Sequence, residues 1–100
     1  MTTVETIRFK LREAGAAADA EFQQLNRTME KEYLEARPGF LARSTARSAD
    51  GEYLVTVHWA SPEDAEATIA AFFAAPETQA FLAAVDLETV QPGRYELIES

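Results

Sequence analysis

The segment Tyr53–Trp59 constrains the fold most, because it has the composition of a strand and carries apolar side chains on both faces. Alternation places one wholly apolar set of residues on one face, and Leu54, Thr56 and His58 on the other. Neither set is typical of a face that meets only water. The pattern therefore predicts a central strand, packed between two layers of the protein.

The rest of the chain divides into strands and helices around this segment. Alternation and turn residues predict three further strands, over residues 4–11, 40–48 and 94–98. Helical spacing and start signals predict helices over residues 17–37, 62–75 and 77–85. The predicted breaks between elements include Pro38-Gly39, Asp50-Gly51, Pro76 and Pro92-Gly93.

This order is strand-helix-strand, hairpin, strand-helix-strand, which predicts an α+β fold of the ferredoxin-like βαββαβ type. We expect residues 1–100 to form one domain, a four-stranded antiparallel sheet with helices on one face. In this topology the first and third strands, over residues 4–11 and 53–59, lie at the sheet centre. They are also the most apolar of the four.

The other face of such a sheet would remain open while carrying apolar side chains. A second, identical sheet packed against it by two-fold symmetry would cover that face, so we expect a homodimer. A chain of this size also has a modest core that an interface would extend. The alternative is a single hydrated sheet face with scattered apolar residues.

Composition excludes several classes of function. A formal net charge of -8 argues against nucleic acid or a membrane surface as partner. No cysteine is present, which excludes thiolate chemistry and disulfides and is typical of a reducing compartment. We find no signal peptide or apolar run that spans a bilayer, and expect a cytoplasmic protein. With one histidine and no carboxylate cluster of metal-binding spacing, we expect no metal and no cofactor.

Three segments give the sequence a resemblance to a known family. They are Pro38-Gly39-Phe40, the strand-to-helix junction over residues 55–67, and residues 72–81. In order and spacing the chain resembles the antibiotic biosynthesis monooxygenase family of the dimeric α/β barrel superfamily. The resemblance implies two sheets paired back to back into a barrel. Some such proteins oxidise polycyclic phenols or quinols with O2 and no cofactor, and others degrade haem.

The haem-degrading branch uses an Asn on the first strand and a His on the helix after the third strand. The corresponding segments of this chain, over residues 4–11 and from Pro62, contain neither residue. We therefore expect no haem chemistry.

An oxygenase that oxidises phenols or quinols without a cofactor needs a base, an apolar pocket and a hydrogen-bond donor for the developing oxyanion. His58 is the predicted base, and Arg43 or Asn26 is predicted to orient the substrate oxygen. The predicted pocket walls are aromatic, namely Trp59, Tyr33, Tyr53, Phe22 and Phe72. His58 and Trp59 are adjacent, so a regular strand points them to opposite sides. The alternative interpretation is that His58 is a structural interface residue and that the aromatic residues are core.

The strands also carry five of the nine basic residues, namely Arg8, Lys10, Arg43, Arg47 and Arg94. They could attract an anionic or enolic ligand, or simply lie on a hydrated face or pair with acids. A second hypothesis on function needs no catalysis at all. It is a non-catalytic homodimeric module that binds a small aromatic molecule or serves a structural role.

Overall fold

The computed structural model describes residues 1–100 and contains one sheet and three helices. The strands are β1 (Thr3–Leu11), β2 (Phe40–Arg47), β3 (Tyr53–Trp59) and β4 (Val85–Glu96). The helices are α1 (Ala16–Glu32), α2 (Pro62–Phe72) and α3 (Gln79–Ala84), with 3-10 turns at Leu34–Ala36 and Pro76–Thr78. The antiparallel sheet has the order β2-β3-β1-β4. This confirms the ferredoxin-like α+β fold, with β1 and β3 at the centre.

The helices cover only one face of the sheet, here called the inner face. Strands β1 and β3 pair from Thr3 opposite Trp59 to Phe9 opposite Tyr53. Because partners in a ladder point to the same side, both strands contribute every second residue to the inner face. The other set, which includes Leu54 and His58, lies on the uncovered side, here called the outer face.

The core lies between the inner face and the helices, and its centre is aromatic. Phe22 of α1 and Phe81 of α3 pack on Phe9 and Tyr53 of the two central strands. Ring centroids are separated by 4.7 Å between Phe22 and Tyr53 and by 6.1 Å between Phe9 and Phe81. Contacts at these distances add roughly 0.5–1.5 kcal/mol per pair beyond burial of area.

A tight corner fixes the end of β3 and the start of α2. Ser61 caps the helix, since its hydroxyl accepts a hydrogen bond from the Asp64 amide at 3.2 Å. The Ala60 amide donates to the Gly39 carbonyl at 2.8 Å, so the Pro38-Gly39 turn is joined to the same corner. These two hydrogen bonds fix the backbone that directly follows Trp59.

Helix α2 ends at Phe72, three residues before the predicted end, and two other predicted boundaries are wrong by more. Helix α1 ends at Glu32, and a 3-10 turn takes over where the prediction continued the helix to residue 37. The last strand begins at Val85 and runs through Pro92-Gly93, whereas the prediction placed a break there. β4 is an edge strand, where a proline without an N–H does not interrupt a central ladder.

None of the three helices combines the length and the apolar character that crossing a bilayer requires.

The corner predicts a difference between two glycines, both with positive φ. A Cβ at Gly39 (φ 81°) would lie 2.1 Å from Asp64 Oδ2, whereas Gly51 (φ 91°) has nothing within 4 Å. We expect Gly51→Ala to cost about 1–2 kcal/mol through backbone strain alone. Gly39→Ala adds the overlap and should cost at least about 1 kcal/mol more. Urea unfolding of both variants measures this, and equal losses would contradict a packed corner.

Candidate functional site

A cavity of about 300 Å³ lies between the inner face of the sheet and helices α2 and α3. Of its 19 lining residues, 15 are hydrophobic. Two larger depressions, of about 560 and 490 Å³, are more open and are lined mainly by polar residues. An apolar cavity with a few polar groups is the usual form of a small-molecule site, so this is the candidate site.

Four polar side chains reach this apolar cavity, and two of them are already hydrogen-bonded within the protein. Arg43 is bonded to Glu30 at 2.9 Å and donates to Asn26 Oδ1 at 2.8 Å. Thr68 donates to the Asp64 carbonyl at 3.0 Å. The two others, Glu5 and Trp59, retain hydrogen-bonding capacity and are the groups that could meet a ligand.

Glu5 is a buried carboxylate, with 4% of the residue exposed. Burial raises its pKa above the ordinary 4.5, because a low-dielectric surrounding disfavours the ionised form. Arg94, with Nη2 at 3.7 Å from Glu5 Oε2, opposes this effect, as does the Trp59 indole N–H. Glu5 is thus a stronger base than a carboxylate on the surface.

Trp59 supplies an unpaired donor next to this base. Its Nε1 is buried and makes no hydrogen bond within bonding geometry, although it lies near enough to Glu5 to lower the pKa of that carboxyl. An unmade buried hydrogen bond costs roughly 1–3 kcal/mol. A ligand oxygen that accepts from this N–H would recover that cost, so the cavity favours an apolar ligand that carries an acceptor atom.

Only three of the sequence-predicted site residues line the cavity, namely Trp59, Arg43 and Phe72. Asn26 lies behind Arg43 and donates to Thr45 Oγ1 at 3.0 Å. The other three are held in the core, where Tyr33 donates to the Thr68 carbonyl, Tyr53 donates to Asp19, and Phe22 packs in the aromatic cluster.

His58 lies on the outer face, where it pairs with Val4 of β1 and Ala42 of β2. Trp59 lies on the inner face. The structure therefore separates the predicted base from the cavity by the thickness of the sheet. No group of three His, Cys, Asp or Glu side chains comes together in a way that could hold a metal ion.

Sequence reasoning missed Glu5, although a signal was present. Alternation places Glu5 on the same face as Ile7 and Phe9, in a strand predicted to be central. A carboxylate in that position must be buried. Arg94, directly opposite Glu5 on β4, was singled out only as one of five strand cations.

The raised pKa of Glu5 predicts how stability depends on pH. The folded state binds this proton more tightly than the unfolded state, so its contribution to stability is present below pH 4.5 and is lost as pH rises through the folded pKa. The Glu5→Gln variant lacks this loss. We expect its free energy of unfolding to increase relative to wild type as pH rises from 4 to 8 in urea titrations. A difference that is constant with pH would contradict the raised pKa.

No protein-family model and no curated protein matches the sequence. Solved structures do match. SnoaB, a cofactor-independent oxygenase from Streptomyces nogalater, has a TM-score of 0.77 at 19% identity, covering 99% of this chain and 95% of that chain. The ActVA-Orf6 monooxygenase of Streptomyces coelicolor, in complex with the ligand nanaomycin D, has a TM-score of 0.75 at 18% identity, covering 98% and 88%.

A Chloroflexus aurantiacus protein assigned to the antibiotic biosynthesis monooxygenases has a TM-score of 0.70 at 12% identity, covering 100% of this chain and 96% of that chain. Identities this low show a shared fold. The chain has the fold of the antibiotic biosynthesis monooxygenase-like proteins, which confirms the resemblance found in the sequence.

Proposed function

We propose that this protein is a cofactor-independent monooxygenase that acts on a hydroxylated aromatic or polyketide-type small molecule in the cytoplasm. One observation carries the proposal, the buried Glu5 carboxylate beside the unpaired Trp59 N–H in an apolar cavity. The likeness in fold to a cofactor-independent oxygenase and to a monooxygenase in complex with nanaomycin D supports the same reaction class.

In this proposal the base is Glu5, whereas the sequence alone predicted His58 in that role. The carboxylate accepts a proton from an acidic phenol or, in a substrate of the anthrone type, from the methylene carbon that lies across the central ring from the carbonyl. Its raised pKa narrows the gap to the substrate pKa, so the transfer is less unfavourable than to a surface carboxylate. Trp59 donates its N–H to the oxygen on which negative charge develops, and apolar walls keep water from competing for that bond.

The resulting anion is electron-rich enough to react with O2. For a substrate of the anthrone type, one oxygen atom becomes a new ring carbonyl and the other leaves as water. The methylene carbon loses both hydrogens and four electrons, and O2 takes up the four electrons. The protein's part is to make the anion, hold its oxygen and exclude water.

The reaction is tested with anthrone and an oxygen electrode. Glu5→Gln should reduce the rate of O2 uptake by roughly 100-fold or more, as is typical when a general base is removed. Trp59→Phe should reduce it roughly 10-fold through the lost hydrogen bond. His58→Ala tests the competing base directly. Full loss in His58→Ala with an active Glu5→Gln would assign the chemistry to the outer face.

Glu52→Gln is the matched control for Glu5→Gln, since it removes a carboxylate 3.9 Å from Arg8 and outside the cavity. We expect its rate to equal that of the wild type.

A non-catalytic binding module is the second candidate. The observation that favours it is the Arg94 contact to Glu5, because a nearby cation lowers the basicity of the carboxylate. Trp59 is the only tryptophan and lines the cavity, so its fluorescence reports entry of a ligand. Saturable quenching by anthrone without O2 uptake would favour this candidate over the oxygenase.

We further propose that two copies associate through their outer faces. Leu54 is 39% exposed and Tyr95 is 61% exposed on that face, beside Val4 and His58. A two-fold pairing of identical faces would remove these apolar groups from water and place His58 at the interface.

The interface prediction is tested with Leu54→Asp, which would bury charge between the two sheets. We expect sedimentation to show a dimer for the wild type and a monomer for the variant. Phe73→Asp is the control, because Phe73 is an exposed apolar residue too, at 60%, but lies on the helical side of the sheet at the end of α2. Dissociation by Phe73→Asp and not by Leu54→Asp would place the interface on the helical layer.

A further inference from the structure

Arg94 lies between two carboxylates on different elements of the fold. Its Nη1 donates to Glu66 Oε1 of α2 at 2.9 Å, and its Nη2 lies 3.7 Å from Glu5 Oε2 of β1. The first distance is that of a hydrogen-bonded ion pair and the second is longer than a hydrogen bond. Arg94 and Glu5 are also directly paired residues of β4 and β1, so the backbone places them side by side and the distance between their charged ends depends on the side chains.

Burial alone would make the contact of Arg94 with Glu5 shorter than its contact with Glu66, but the observed order is the reverse. The Glu66 side chain is 69% exposed, whereas the Glu5 side chain is 5% exposed. A buried carboxylate attracts a cation more strongly than an exposed one, because the surrounding dielectric is lower. The guanidinium nevertheless lies closer to Glu66. A restraint from α2 accounts for this, since the hydrogen bond to Glu66 holds Arg94 back from Glu5.

We infer that Arg94 is a positioning residue, held by Glu66 at a distance from Glu5 that leaves a carboxylate oxygen free for a ligand hydroxyl. The importance of this placement of Arg94 for catalysis rests on the proposed function. With Arg94 fully bonded to Glu5, both oxygens would be engaged and the carboxylate would be a weak base. Without Arg94, the buried carboxylate would be neutral over a wider pH range and would lose its basic form.

No other cation facing Glu5 can replace Arg94. Arg43 of β2 also lines the cavity, but its guanidinium is bonded to Glu30 of α1 and to Asn26. Helix α3 carries no charged residue, and β3 contributes only the Trp59 N–H to this part of the inner face. On α2, Glu66 is the one acid that contacts Arg94.

The inference predicts opposite effects from removing the two partners. The measurement is a 13C NMR titration of the Glu5 carboxyl carbon in the ligand-free protein, with the resonance assigned by its absence in Glu5→Gln. Arg94→Gln should move the Glu5 midpoint to higher pH, because an opposing cation is lost. Glu66→Gln should move the midpoint to lower pH, because Arg94 is released to approach Glu5, and it should move the midpoint much less in the Arg94→Gln background, where only the loss of the Glu66 charge acts. Arg94→Lys keeps the charge and should move the midpoint less than Arg94→Gln.

Glu77→Gln is the matched control for a distant change of charge, since Glu77 lies in the 3-10 turn before α3 and makes no salt bridge to Arg94. We expect no shift in this variant. An unchanged midpoint in Arg94→Gln, or an equal shift from Glu66→Gln with and without Arg94, would overturn the inference. If Arg94→Gln does not fold, the Arg94→Lys background takes its place, and the shift caused by Glu66→Gln should again be smaller than in the wild type.

Because this titration needs no substrate, its failure is distinguishable from failure of the proposed oxygenase. A Glu66→Gln shift that depends on Arg94, without O2 uptake, would support the positioning role and reject the reaction. O2 uptake that depends on Glu5, with no shift in Arg94→Gln, would support the reaction and reject the positioning role.

Discussion

The pairing of β1 with β3 determines which side chains of the two central strands share a face. The ladder runs from Thr3 opposite Trp59 to Phe9 opposite Tyr53, so the alternating residues of both strands share their faces. A slip of one residue would turn every side chain of a strand to the opposite face. His58 would then enter the cavity and Trp59 would leave it. The apolar residues of the inner face make that slip costly, and they thereby fix which polar groups the cavity receives.

The same pairing forces a conflict between stability and site chemistry. The inner face is apolar except near one end, where Glu5 lies among groups that cannot solvate it fully. Glu5 departs from the usual pattern in which the covered face of a strand carries no charge, and the rest of β1 follows that pattern. Such departures concentrate at functional positions, because an unfavourable environment is what makes a carboxylate reactive. Arg94 and the Trp59 N–H reduce the cost without removing it.

Features with a local cause could be predicted from the sequence. The Asp50-Gly51 turn, the Ser61 cap and the alternation of β3 each depend on a few neighbouring residues, and the structure contains all three. The continuation of β4 through Pro92-Gly93 could not be predicted in the same way. It depends on the edge position of β4 in the sheet, which is a tertiary property.

Some features of the candidate site could likewise be predicted from the sequence, and others could not. Alternation alone separates His58 from Trp59, but it does not say which of the two faces the helices will cover. That choice depends on how α1, α2 and α3 pack, and it decides that Trp59 lines the cavity. Glu5 was overlooked because a single carboxylate in a strand is normally on a hydrated face. Its place on the same face as Ile7 and Phe9 indicates burial, and the pairing with β3 confirms it.

The rim of the cavity differs from its polar groups in its tolerance of substitution. Ile69, Phe73 and Leu87 line the cavity and are also partly exposed to solvent, so their side chains belong to the surface as much as to the core. Substitutions at such positions disturb packing little. Glu5 and Trp59 lie on central strands, where almost any change is costly. Substitutions at these three positions can therefore change the shape of the cavity while Glu5 and Trp59 stay in place.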